Sequence, residues 1–152
     1  MKIEKIIGII TILGGILFFI MLFSNIQALY FTSNYNHLNL EINNTKQFYS
    51  YFEWFLYGIW GVFAGYFLFK EKYIGWVLAS SFWLESIIRR ILTIILNLEI
   101  LNLQFLLLTF FTIVILVPLL SNSFLTKYNV TRKSWLLVIT IISLMIFLTK
   151  IY

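Results

Sequence analysis

The sequence predicts an all-helical bundle that crosses a membrane about five times, with its N-terminus in the cytoplasm. Three observations predict it. The 152 residues are 61% hydrophobic and only 11% charged, whereas a soluble domain is about half apolar and about a quarter charged. The apolar residues fall in runs of about 20, the length that crosses hydrocarbon as a helix. The lysines and arginines between the runs favour one side. In hydrocarbon the backbone must satisfy its own polar groups, so runs of this length are read as helices.

The first span runs from about Ile6 to Phe23. Lys2 and Lys5 precede it, as they would in a signal peptide, but no small-x-small cleavage site follows, so it reads as retained. The second span covers Phe48 to Phe69 and the third Ile74 to Leu96. The fourth begins at Leu98 or Leu103 and reaches Leu120, with Pro118 bending or closing it. The fifth covers Trp135 to Tyr152. The NLEILN stretch at 97–102 is either a tight outer turn or the bend of one hairpin, which leaves four spans as the alternative count. No repeat or linker divides the chain, so residues 1–152 read as one domain.

Orientation follows from the basic residues. Lys2, Lys5, Lys70, Lys72, Lys127, Arg132 and Lys133 fall on the inner side, seven in all, against Lys46 and Lys150 outside. The other two of the eleven, Arg89 and Arg90, lie within the third span. Seven against two is a positive-inside pattern. Tyr49, Tyr51, Trp54, Tyr73, Trp76, Trp135 and Tyr152 gather near span ends, where Tyr and Trp act as interfacial anchors. The sizeable loop, about 25–47, is external. His37 to Asn43 alternates apolar and polar residues there, as an extended segment or a cap on the outer mouth would. His37, the sole histidine, is either a solvated loop residue or a residue of that mouth. Richness in Ile, Asn, Lys and Phe suits an AT-rich bacterial genome, so the expected location is the cell (cytoplasmic or inner) membrane, multi-pass.

The stretch WLESIIRR, residues 83–90, places one acid and two arginines inside a span. A lone charge at mid-bilayer costs about 2.5–3.5 kcal/mol on insertion scales. Glu85 and Arg89 are four residues apart and share a helix face, while Arg90 lies about 100° further round. Glu53, on the antiparallel second span, falls at nearly the depth of Arg89 by helical rise. The expectation is that Glu53, Glu85, Arg89 and Arg90 meet in the outer half, formally neutral. Tyr57 and Trp60 follow Glu53 on one stripe and would line the space below. Gly58, Gly61 and Gly65 form a groove for a neighbouring helix, and Gly8, Thr11 and Gly15 form another on the first span.

Several chemistries are excluded. Without cysteine there are no disulfides or thiolate sites, and one histidine leaves no metal cluster. No phosphate loop, dinucleotide fingerprint or serine elbow occurs. The basic residues are scattered singly, which does not suit nucleic acid. No cofactor is expected.

The stretches EWFLYGIWGVFAGYFLF, residues 53–69, and IIRRIL, residues 87–92, resemble the second and third helices of DoxX-like small integral membrane proteins. There a polar residue precedes a Tyr-Gly step and a glycine-spaced helix, and the third helix carries an arginine. The resemblance covers about residues 50–95. It implies a bundle of usually four spans and, for some members, a link to quinone-dependent electron transfer. It singles out Glu53, Tyr57, Gly58 and Arg89 or Arg90.

The functional expectation is a small membrane protein whose Glu53, Tyr57, Trp60, Glu85, Arg89 and Arg90 form an outward-facing polar pocket. The pocket would take an amphipathic or anionic ligand, such as a lipid headgroup or quinone, or relay protons. The alternative is a non-catalytic interaction subunit whose ion pairs only hold helices together. A membrane enzyme comes third. Expected partners are membrane lipids, a quinone or other amphipath, and a second copy or a partner membrane subunit, with no nucleic acid.

Overall fold

A computed structural model describes residues 2–33, 44–96 and 103–150. The described residues are helical throughout, apart from short turns, and contain no strand. The helices are α1 (Ile3–Ser33), α2 (Asn44–Phe69), α3 (Tyr73–Leu96), α4 (Leu103–Leu119), α5 (Asn122–Lys127) and α6 (Arg132–Lys150). Three of them, α1, α2 and α6, are long and apolar enough to cross a membrane. At 17 residues, α4 is apolar but shorter. The 24 residues of α3 include Glu85, Arg89 and Arg90.

Several boundaries differ from expectation. The first helix continues to Ser33, well past Phe23, and α2 begins at Asn44. The expected loop over 25–47 is thus shortened from both ends. The extra turns are polar enough to have looked like loop, but they extend helices already nucleated, and adding residues to a formed helix is easy. The single turn and a half of α5, between α4 and α6, was not foreseen. His37, the 37–43 alternation and the 97–102 junction lie outside the described residues.

α3 is the hub. It packs against α2, α4 and α6, while α1 packs mainly on α2. Trp76, Val77, Ala79, Phe82, Trp83 and Glu85 of α3 are all buried. The outward faces of α1, α4 and α6 are instead covered with exposed Leu, Ile, Val and Phe. The helix with an acid and two arginines inside it is thus the most enclosed one, and Glu85 and Arg89 find protein partners there.

The α1–α2 contact is backbone against backbone. A methyl group added at Gly15 would lie 2.6 Å from the Val62 nitrogen, and one at Gly61 would lie 2.8 Å from the Gly15 Cα. Gly8 meets the Gly65 carbonyl in the same way. The two expected glycine grooves therefore face each other, and their fit replaces the hydrophobic drive that apolar surroundings would not supply. Thr11, between Gly8 and Gly15, donates to the Ile7 carbonyl at 2.8 Å and accepts from the Trp83 indole at 3.0 Å. That link ties α1 to α3.

Helix ends are closed individually. α2 ends with Glu71 at φ 53°, and the Lys72 amide reaches back to the Phe67 carbonyl at 2.9 Å. Asn129, at φ 48°, ends α5 in the same way, with Val130 bonding back to Leu125. Both are the six-to-one closure that a left-handed residue permits. α4 stops just past Pro118, as expected. The Trp76 indole donates to the Leu119 carbonyl at 2.8 Å, satisfying a group that the helix end leaves free. Trp76, expected as an interfacial anchor, is therefore fully buried, its ring edge-on to Trp135 at 5.6 Å. α6 opens with the Ser134 hydroxyl accepting from the Thr131 amide at 3.0 Å.

Candidate functional site

Arg89 organises one end of the bundle. On its own helix its Nε donates to Glu85, one turn earlier. Its Nη1 donates to Glu53 of α2 at 2.7 Å, and its Nη2 to the Thr149 hydroxyl of α6. Thr149 donates to the Met145 carbonyl at 2.7 Å, leaving its lone pairs for the arginine. The guanidinium also lies over the Tyr57 ring at 5.2 Å. A planar fork with five donors in fixed directions can engage three helices at once, where a lysine offers three donors on a single nitrogen.

Glu85 is 1% exposed and so needs full compensation. It accepts from Arg89 and, at 2.5 Å, from the Tyr57 hydroxyl. The predicted pairing of Glu53, Glu85 and Arg89 is thus realised, and Tyr57 joins it. Arg90 does not. It forms no ion pair among the described residues, its Nε is buried without a hydrogen-bond partner, and its guanidinium lies over the Phe105 ring at 5.7 Å. The cause is helical geometry: consecutive residues point about 100° apart, so only one of two adjacent arginines can face α2 and α6.

A cavity of about 420 Å³ opens beside this cluster. Glu53, Tyr57, Glu85, Arg89 and Arg90 all line it, as the sequence suggested. Trp60 does not. It sits one turn further along α2, buried against Tyr57 and Phe82, and its indole nitrogen has no hydrogen-bond partner among the described residues. Trp60 shares the helix stripe of Glu53 and Tyr57, but the Tyr57 and Phe82 rings close the space above it.

Sequence reasoning missed the rest of the lining. Gly14 and Phe18 of α1, Trp54 of α2, Phe82, Trp83 and Ser86 of α3, and Phe105 of α4 complete it. Phe18 stacks on Tyr57 at 5.2 Å, making α1 a wall of the site. No local motif marked Phe18 or Phe105. Trp54, read as an anchor, carried the one usable signal, its place next to Glu53.

A second charged cluster lies at the opposite end of α2 and α3. Lys127 donates to Glu4 at 2.6 Å and to Glu71 at 2.8 Å, and Lys2 approaches Glu71 at 3.3 Å. This clasp joins the start of α1, the α2–α3 turn and the end of α5. Hydrogen bonds from Lys127, then Lys2, hold the Glu71 carboxyl below its usual range. The same bonds, from Glu4 and then Glu71, hold the Lys127 ammonium well above its usual value. Burial pushes the neighbouring Tyr128 hydroxyl up to about 12. That hydroxyl has no hydrogen-bond partner among the described residues.

No group of His, Cys, Asp or Glu among the described residues could hold a metal ion. Comparison with family models, with curated proteins and with solved structures found no match to this chain.

Proposed function

We propose that this chain is a multi-pass protein of the cell membrane, with a cytoplasmic N-terminus and about five spans. Its cavity binds an amphipathic or anionic ligand such as a lipid headgroup or quinone. The exposed apolar faces of α1, α4 and α6 support the membrane reading, as do the burial of Glu85 and its pairing with Arg89. The clasp supports the proposed topology, because Lys2, Glu71 and Lys127 meet at one end of the bundle. The resemblance of residues 50–95 to DoxX-like proteins points the same way.

One observation carries the ligand reading. The cavity is about 420 Å³, within the roughly 300–1,000 Å³ of small-molecule sites. It is walled by aromatic rings and by an arginine with no ion-pair partner among the described residues. A scaffold has no need of that space.

A second reading has its own support. Arg89 bonds to three helices, so its ion pairs hold the bundle whether or not a ligand binds. A membrane enzyme ranks third, since Tyr57 and Glu85 are already committed to each other.

The test is native mass spectrometry of the detergent-purified protein beside Ser86→Trp, which fills the cavity. A co-purified molecule on the native protein that is lost in Ser86→Trp supports the pocket. Identical spectra, with both proteins folded, leave the scaffold reading.

A further inference from the structure

We infer that the ligand is an amphipathic acid, held with its acidic group on Arg90 and its apolar body running towards Gly14. This rests on the pocket reading above and names the ligand class of that site.

The charges fix where an anion can sit. Glu53 and Glu85 share Arg89 between them, so that side of the cavity carries a formal surplus of one negative charge. An anion is repelled there. Arg90 faces the same cavity from the other side of α3, with no acid against it among the described residues. Its Nε is buried and has no acceptor among the described residues. A buried guanidinium N–H without an acceptor is costly, and a carboxylate or phosphate ester is the group that matches the planar fork.

The apolar part follows from the rest of the lining. Trp83 lies two turns from Arg90 along α3, about 10 Å by helical rise. Trp83 is level with Thr11 of α1, to which it is hydrogen-bonded. Away from Arg90 the apolar lining is Phe18, Phe82 and Trp83, and Glu85, which lies between the two levels, is 1% exposed with its carboxylate bonded to Tyr57 and Arg89. Gly14, three residues beyond Thr11 on α1, also lines the cavity, and a methyl group added there would touch nothing within 4 Å. Its neighbour Gly15 and the facing Gly61 have no such room, being packed backbone to backbone. Gly14 therefore serves the cavity and Gly15 serves the fold. A larger side chain at Gly14 would occupy the ligand's tail space and leave the α1–α2 contact intact.

The experiment uses the full chain in detergent and follows quenching of tryptophan fluorescence by dibromostearate, with its methyl ester and inorganic phosphate as comparisons. Trp54 and Trp83 line the cavity and report on it, and Trp54→Phe identifies their share. The acid is expected to saturate at about tenfold lower mole fraction than the ester, the size of one charge-assisted hydrogen bond. Arg90→Gln should abolish that preference and Arg90→Lys retain part of it. Gly14→Leu should weaken both probes at unchanged thermal stability. Equal quenching by acid and ester, unaffected by Arg90→Gln, overturns the inference and leaves a pocket for neutral amphipaths. Displacement of dibromostearate by inorganic phosphate also overturns it, because the site would then read a soluble anion and not an amphipath. Absence of saturable quenching by either probe removes the pocket and the inference together.

Discussion

Arg89 on α3 and Glu53 on α2 lie 2.7 Å apart, although 36 residues separate them in the chain. The contact exists because α2 and α3 run antiparallel from a tight turn, so residues equally far from that turn come level. Glu85, one turn before Arg89, is the group this arrangement protects.

Removing Arg89 should therefore be severe. Arg89→Leu leaves Glu85 buried with one hydroxyl donor and releases Glu53 and Thr149. Breaking a buried pair from one side costs about 3–5 kcal/mol. Glu85→Gln, which keeps the shape and one acceptor, should cost less. Thermal unfolding in detergent, followed by circular dichroism, ranks the two. A milder effect for Arg89→Leu than for Glu85→Gln would contradict the central place given to Arg89.

The two adjacent glycines of α1 should behave oppositely. Gly15→Ala drives a methyl group into the α2 backbone and should destabilise by about 1–3 kcal/mol. Gly14→Ala meets open space and should be neutral or stabilising, by up to about 1 kcal/mol from helix propensity. The same melting measurement distinguishes them.

Thr11 and Trp83 should be coupled. Thr11→Val keeps the volume but leaves the Trp83 indole without its acceptor, a cost of about 1–3 kcal/mol. A double-mutant cycle with Trp83→Phe should return a coupling of about 1 kcal/mol. A coupling near zero would mean that the α1–α3 link is unimportant.

The clasp should respond to acid. The Glu71 carboxyl is held below its ordinary value of 4.5, so its contribution is fully present above that pH and fades as pH falls through the lower, folded value. The melting temperature of the native protein should drop on acidification past pH 4.5, and Glu71→Gln should flatten part of that drop. Glu71 also occupies a left-handed backbone position. Glu71→Gly should therefore be milder than Glu71→Ala, since glycine adopts that conformation without strain.

Topology is checked with single cysteines, since the chain has none. Asn36→Cys and Ile100→Cys should react with an impermeant thiol reagent added outside intact cells. Lys72→Cys should react only after permeabilisation. The reverse pattern would invert the orientation.

The sequence by itself determined the five longer helices apart from their ends, the apolar runs, the four-residue pairing of Glu85 with Arg89 and the level of Glu53. These follow from helical rise and periodicity, which are properties of a single chain segment. It also marked both glycine grooves, because small residues at helical spacing are visible without knowing the partner. Only the tertiary structure decided which of two adjacent arginines faced the acids, that Trp60 lay beneath the site, and that Phe18 and Phe105 formed its walls. It likewise took Trp76 into the interior and joined Lys127 to Glu4 and Glu71. A sequence states the angles between side chains on one helix. It does not state how that helix is rotated against its neighbours. Here the rotation is set by backbone contact between Gly8, Gly15, Gly61 and Gly65 and by the packing of α3 among three helices.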